Sequence, residues 1–303
     1  MGYQLKQQES LAQGVRRIAR EQMSQAMIEL QNPERNRHQA IHEVRKQFKK
    51  LRGLIRLVRS GLGDEYAQMN LWCRDAGRRL SRVRDAESML ESLAKLRERF
   101  SDSTHAEMFS EFESRLLARK QRIVDEWIDL DADLKKLSGQ LEEGHRKIEN
   151  WKIKGPAGKV ISHGLHKTYQ RGTKALKDLH RCPSDELFHE CRKRSKYHLY
   201  HIRLLGDLWQ PILAARLAEL DQLNDYFGND HDLAVMTQLI HSEPETLGAS
   251  AGIEQLLNII GQQRQELQTA GLKLADRVFA EESQAFARRM KAYWSLWRDQ
   301  SSP

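Results

Sequence analysis

Sliding this chain against itself by 147 residues brings two stretches into register without a gap, and that self-similarity limits the possible folds more than any other feature of the sequence. His42-Glu43-x-Arg45-Lys46-x-x-Lys49 falls on His189-Glu190-x-Arg192-Lys193-x-x-Lys196. Farther along, Ile55-Arg56-Leu57 meets Ile202-Arg203-Leu204, while Asp85 and Met89 meet Asp232 and Met236. Eleven of the 48 positions from His42 to Met89 are identical at this one offset, where unrelated helices of this composition would give roughly three. A fused duplication implies two like units packed about a pseudo-twofold axis, with equivalent faces brought near each other.

The units read as helical. Leu11, Val15, Ile18, Ala19, Met23, Met27 and Leu30 recur at spacings of three and four, as do Ile41, Val44, Phe48, Leu51, Ile55 and Val58. The same period returns in Phe109, Phe112, Leu116, Ile123, Trp127, Leu130 and Leu134. No stretch alternates with period two for long enough to make a strand, and 6 prolines with 18 glycines in 303 residues are too few turn formers for an all-β meander. The expected fold is all-α, with about ten helices in two pseudo-symmetric bundles, residues 1–154 and 155–303. Breakers lie at Asn32-Pro33, Gly61-Leu62-Gly63, Ser101-Asp102-Ser103, Gly155-Pro156, Cys182-Pro183-Ser184, Gly228-Asn229-Asp230 and Pro244. Gly155-Pro156-Ala157-Gly158-Lys159 has the wrong glycine spacing for a phosphate loop and no Ser or Thr after the lysine, so it reads as a linker.

Charge is distributed to a purpose. His42, Arg45, Lys49, Arg52 and Arg56 are spaced 3, 4, 3 and 4 apart, which puts all five on one stripe of one helix. From His42 to Arg59 seven basic residues, Lys46 among them, face a single acid, Glu43. Like charges at i,i+4 cost about 0.2 to 0.5 kcal/mol each in an isolated helix, so the sequence predicts repulsion left uncompensated within that helix. The second copy repeats the pattern with His189, Arg192, Lys193, Lys196 and Arg203, although Leu199 replaces the counterpart of Arg52. Leu205 to Ile260 carries nine acids against Arg216 alone, so the net charge of +8 understates the basic surface. Arg78, Arg82, Lys167, Arg171 and Lys174 are further candidates to line the same cleft. A surface of this sign calls for a polyanion.

The histidines open both stripes, where each could donate to a phosphate oxygen and gain charge beside an anion. HExxH is absent, and no protein-bound metal or other cofactor is expected. His231-Asp232 has the form of a metal-ligand pair of phosphohydrolases, but its counterpart is Arg84-Asp85. The duplicated property is therefore the carboxylate, and Asp85 and Asp232 read as structural acids in a capping or buried network. Cys73, Cys182 and Cys191 match no redox or zinc spacing, and no nucleophile elbow or protease signature is present. Trp294 and Trp297 sit at core spacings with Phe279, Phe286 and Met290.

These duplicated stripes resemble the CHAD family, the conserved histidine α-helical domain, whose halves each open with a His-x-x-Arg-(Lys/Arg)-x-x-(Lys/Arg) helix and continue to an Arg-Asp type motif. The resemblance runs from about Val15 to Trp297 and includes Tyr169-Gln170-Arg171-Gly172-Thr173-Lys174 and the ending from Phe279-Ala280-Glu281 to Trp294-x-x-Trp297. It implies two helical halves around a basic central channel that binds inorganic polyphosphate without catalysis. Asn229-Asp230-His231-Asp232 departs from the family's basic motif, and His198 with Leu199 departs in the second stripe, which implies a weaker grip by the second half. Nucleic acid is an alternative partner, with Tyr197 and Tyr200 the aromatics beside the second stripe. A metal-dependent phosphohydrolase using His231 and Asp232 is an alternative of another class. No run approaches the ~18 apolar residues of a membrane span and MGYQLKQQES lacks the apolar core of a signal peptide, so the expectation is a cytoplasmic protein with no membrane partner, associated with polyphosphate granules.

Overall fold

A computed structural model describes residues 2–32, 36–100, 105–126, 130–247 and 251–299, without the side chains of 82–84, 130–131, 245 and 251. The helices are α1 (Leu11–Gln31), α2 (Arg37–Leu57), α3 (Arg59–Leu62), α4 (Asp64–Arg79), α5 (Ser81–Arg99), α6 (Ala106–Asp125), α7 (Leu130–Glu149), α8 (Ala157–Arg181), α9 (Asp185–Leu204), α10 (Gln210–Ser242), α11 (Pro244–Leu247), α12 (Ala251–Val278) and α13 (Ser283–Asp299). A 3-10 turn at Gly206–Leu208 precedes α10. No strand occurs among the described residues, so the fold is all-α as the periodicity predicts.

Local chemistry explains where these helices begin. The Ser10 hydroxyl accepts from the Gln13 amide at 3.2 Å while the Gln13 side chain accepts from the Ser10 amide at 2.8 Å, a reciprocal cap on α1. Ser184 accepts from the Leu187 amide at 3.3 Å, and Asp185 and Glu186 follow in the first turn of α9, where carboxylates meet the positive end of the helix. Gly155 supplies the left-handed backbone (φ 93°) that turns the chain into α8. Ser101-Asp102-Ser103 and Trp127 lie outside the described residues.

One predicted break is overturned. α10 runs for 33 residues, about 50 Å, straight through Gly228-Asn229-Asp230. A mid-helix glycine costs roughly 1 kcal/mol, but here the side chain of Asp230 is held from α12, accepting from Arg264 Nε at 3.0 Å and Gln268 Nε2 at 2.9 Å. Tertiary pairing outweighs the local turn preference. The matching position in the first half is a true break, with α4 ending and α5 starting at Leu80.

Among the described residues, two apolar cores hold the molecule. The larger gathers Ile18, Ile41, Leu51 and Leu54 from α1 and α2 with Leu165, Tyr169, Ile202, Phe227, Phe286 and Trp294 from the helices after Gly155. The smaller joins Met89, Phe109 and Phe112 of α5 and α6 to Met236, Ile240, Leu256 and Ile260 of α10 and α12. Each core draws on both stretches of chain, and α10 passes through both. α1 packs on α2 and α7, and α8 packs on α9 and α13. α2 and α9 touch through Gly53, where a Cβ would stand 2.7 Å from that of Tyr200, and the Gly53 carbonyl lies 3.1 Å from His201 Nε2. Among the described residues no helix is long and apolar enough to cross a membrane.

Candidate functional site

On α2, burial of Ile41, Val44, Phe48, Leu51 and Ile55 leaves two flanks. Along one, Arg45 donates to the Gly77 carbonyl and approaches Asp85 to 4.0 Å, and Arg52 Nε donates to Asn70 at 3.2 Å. Arg56 donates to the Arg52 carbonyl at 3.1 Å and lays its guanidinium 4.1 Å from the centre of the Tyr197 ring. Lys49 stands near enough to His231 of α10 to help depress that imidazole's pKa. Lys46 takes the other flank, pairs with Glu43 at 3.1 Å and lines a cavity of about 1210 Å³ between α1, α2 and α7. His42 is 44% exposed and 3.9 Å from Glu43.

α9 carries the second set. His189 meets His231, with Nδ1 atoms 3.3 Å apart and ring centres 4.5 Å apart. Lys193 and Arg194 both pair with Glu190, one turn earlier. Arg203 donates to Asp221 of α10 at 2.6 Å, and burial with the neighbouring Arg192 and Arg203 lowers the pKa of Lys196 against the opposing pull of Asp221 and Asp225. The repulsion expected from the sequence is thus partly answered. Glu43 and Glu190 compensate it within their own helices, and the acidic stretch after Leu205 folds back along α9 as α10, so charges segregated in sequence meet in space.

Cations from four helices gather in one place: Arg52 and Arg56 of α2, Arg59 of α3, Arg171 of α8 and Arg194 of α9. Burial first, then the charges of Arg52 and Arg194, hold the Arg56 guanidinium below its ordinary pKa. Arg171 is lowered by burial and by Arg194 and Arg59. The Nε groups of Arg56 and Arg194 are buried and have no hydrogen-bond partner among the described residues. A second gathering joins Lys49, His189, Arg192 and His231. Burial, Arg192, His189 and Lys49 push His231 down to about 3, and burial with Arg192 and Lys193 lowers His189.

The remaining predicted residues are dispersed. Lys167 is half-buried beside His163 and Arg59. Lys174 is exposed and pairs with Asp178 at 3.1 Å, Arg78 is exposed near Asp75, and the Arg82 side chain lies outside the described residues. Asp85 is 55% exposed beside Arg45 and Asp232 is half-buried. Asp230, by contrast, is buried at 1% exposure and joined through Arg264 to Asp185. Arg59 and Arg194 are absent from the residues predicted for the site; their counterparts in the other copy are Gly206 and Gln47, and Arg194 lies off the three-and-four spacing of its stripe. A scan for Arg at i−3 from Tyr would have found Arg194 beside Tyr197.

Compared with protein-family models, residues 17–241 match the CHAD domain. The chain belongs to the CHAD family. The CHAD match takes in both stripes and most of α10, and ends before α12 and α13. No curated protein matches the chain. Among the described residues of this CHAD chain no group of three or more His, Cys, Asp or Glu side chains is placed to hold a metal ion.

Proposed function

We propose that this CHAD protein binds inorganic polyphosphate, without catalysis, along a basic channel formed where the equivalent helices of a duplicated fold cross. The observation that carries the reading is the gathering of Arg52, Arg56, Arg59, Arg171 and Arg194, with two buried guanidinium N–H donors that have no acceptor among the described residues. Buried cationic donors of this kind suit phosphate oxygens, which supply both acceptor and countercharge. The second gathering at Lys49, Arg192 and the two histidines would extend the track.

The duplication is supported by contacts that exchange under the 147-residue offset. Gly53 and Tyr200, the touching pair of α2 and α9, are equivalent positions. Arg56 lies over Tyr197, and Arg203 is among the charges that lower Lys50, so the equivalent pairs 56/197 and 203/50 are both neighbours. A linear polyanion threaded past such a crossing would meet cations from both halves in succession. Nucleic acid shares the phosphates, but Tyr197 and Tyr200 are 7% and 3% exposed and offer bases little face to stack on.

The test is a calorimetric titration with long polyphosphate, ATP and length-matched single-stranded DNA, with and without chelator. Polyphosphate should bind tightest, unaffected by chelator, with affinity falling on a log–log salt slope of about −0.7 per phosphate neutralised, by analogy with single strands. Equal affinity for ATP and long polyphosphate sinks the proposal. Phosphate release that vanishes with chelator and returns with Mn²⁺ or Mg²⁺ would favour the phosphohydrolase built on His231 and Asp232.

A further inference from the structure

The place of His231 in the first copy is taken by Arg84, a side chain that is charged at every pH at which proteins fold. Here the equivalent position holds an imidazole in contact with a second imidazole, His189, and the pair adjoins cations of the candidate track. We propose that His189 and His231 form a proton-dependent segment of the anion site, taking up protons as polyphosphate docks, so that the protein grips its ligand more tightly as pH falls. This rests on the polyphosphate reading.

The argument begins with geometry. Two Nδ1 atoms 3.3 Å apart can share one hydrogen only if one imidazole donates and the other accepts, so doubly protonated rings cannot keep this contact. The surroundings disfavour charge on the pair in the ligand-free chain. Lys49 faces it from α2, and Arg192 and Lys193 from α9. The acids nearby are already engaged with cations: Asp185 with Arg264 of α12, and Glu190 with Lys193 and Arg194. Asp230 of α10 is held by Arg264 and Gln268, and Asp178 of α8 by Lys174 and Arg181. From α5, Asp85 lies by Arg45, and Lys95 donates to Asn229 at 3.0 Å. Asp232 is half-buried beside His231 in the chain.

A polyanion seated on Lys49 and Arg192 reverses that balance. It cancels the cations that oppose protonation and adds negative charge within reach of both rings, so the bound state holds more protons than the free state between the free and bound pKa values. Each proton taken up makes affinity rise up to tenfold per pH unit in that window. A permanent arginine would give no such dependence.

Isothermal titration with a polyphosphate of several hundred units, whose end groups are too dilute to matter, is run at constant ionic strength in two buffers of different ionisation enthalpy. At pH 6 the buffer dependence should report about one proton taken up per site and at pH 8 close to none, with affinity about fivefold or more higher at pH 6. His231→Arg should bind more tightly than wild type at pH 8 and lose most of the pH dependence. Histidine NMR on the wild type should show both imidazoles neutral at pH 6 without ligand and at least one protonated with it. Tight binding with buffer-independent heats at pH 6 would overturn the coupling while leaving the polyphosphate reading intact. No binding at either pH overturns the polyphosphate reading and the coupling with it.

Discussion

Lys49 and Lys196 hold equivalent places in the two stripes but live in different surroundings. Lys49 is exposed, whereas Lys196 is half-buried, with Asp221 and Asp225 drawing on its charge. Lys49→Glu should therefore lower polyphosphate affinity by tenfold or more while the melting temperature stays within a degree or two, since exposed substitutions usually lie within ~0.5 kcal/mol. Lys196→Glu should weaken binding and also lower the melting temperature, because it sets a third carboxylate beside two others. Paired titration and thermal melts check both halves of the statement. Histidines set the acid limit. His201 is fully buried, bonded to the Gly53 carbonyl, and burial drives it down to about 3. The unfolded chain takes up this proton near pH 6.5 and the folded chain does not, so stability is intact above 6.5 and falls as pH drops toward 3, by about 1.4 kcal/mol per pH unit. Burial and the adjacent Arg216 push His198 the same way. Urea denaturation at pH 7 and pH 5 should show the loss, and His201→Gln, which keeps a donor for the carbonyl, should flatten the slope by one proton.

Several glycines let helices approach closely, Gly164 and Gly53 among them. At Gly164 of α8 a Cβ would stand 1.9 Å from the Leu57 carbonyl oxygen, which is backbone and cannot swing away. Gly164→Ala should cost ~3 kcal/mol or more, at the upper end of overpacking effects, and Gly53→Ala about 1 to 3 kcal/mol through its clash with Tyr200. Gly139 of α7 is exposed with nothing within 4 Å, so Gly139→Ala should stabilise by up to about 1 kcal/mol through helix propensity alone. Chemical denaturation of the three variants orders them. The same elements show what a sequence discloses. The apolar period of α1, α2 and α6 and the breaks at Gly155 and Cys182-Pro183 could be read directly, because they depend on neighbours three or four residues apart. Continuity of α10 through Gly228 could not, since it relies on Arg264, more than thirty residues away. The stripe of α2 was legible, but its partners were not. Tyr197 under Arg56, and the acids of α10 beside Lys196, depend on which helices pack together.

At the scale of the molecule, neither core belongs to one half of the chain, and α10 ties the two cores together. Unfolding should therefore be a single cooperative transition, with calorimetric and van't Hoff enthalpies in agreement; two resolved transitions would show that the halves are independent. The CHAD match stops at residue 241, one residue short of the end of α10. Arg216, half inside the fold, donates to the Val278 carbonyl at 2.8 Å and lies 5.1 Å from the Phe286 ring, and Tyr169 donates to the same carbonyl at 2.9 Å while stacking on Phe286 at 4.6 Å. A fragment cut at the edge of the family match would keep every cation of both stripes and still strand a guanidinium, a phenol and a wall of aromatic carbon without their counterparts. Expressed alone, it should aggregate, so the edge of the family match is not expected to be an edge of the folding unit.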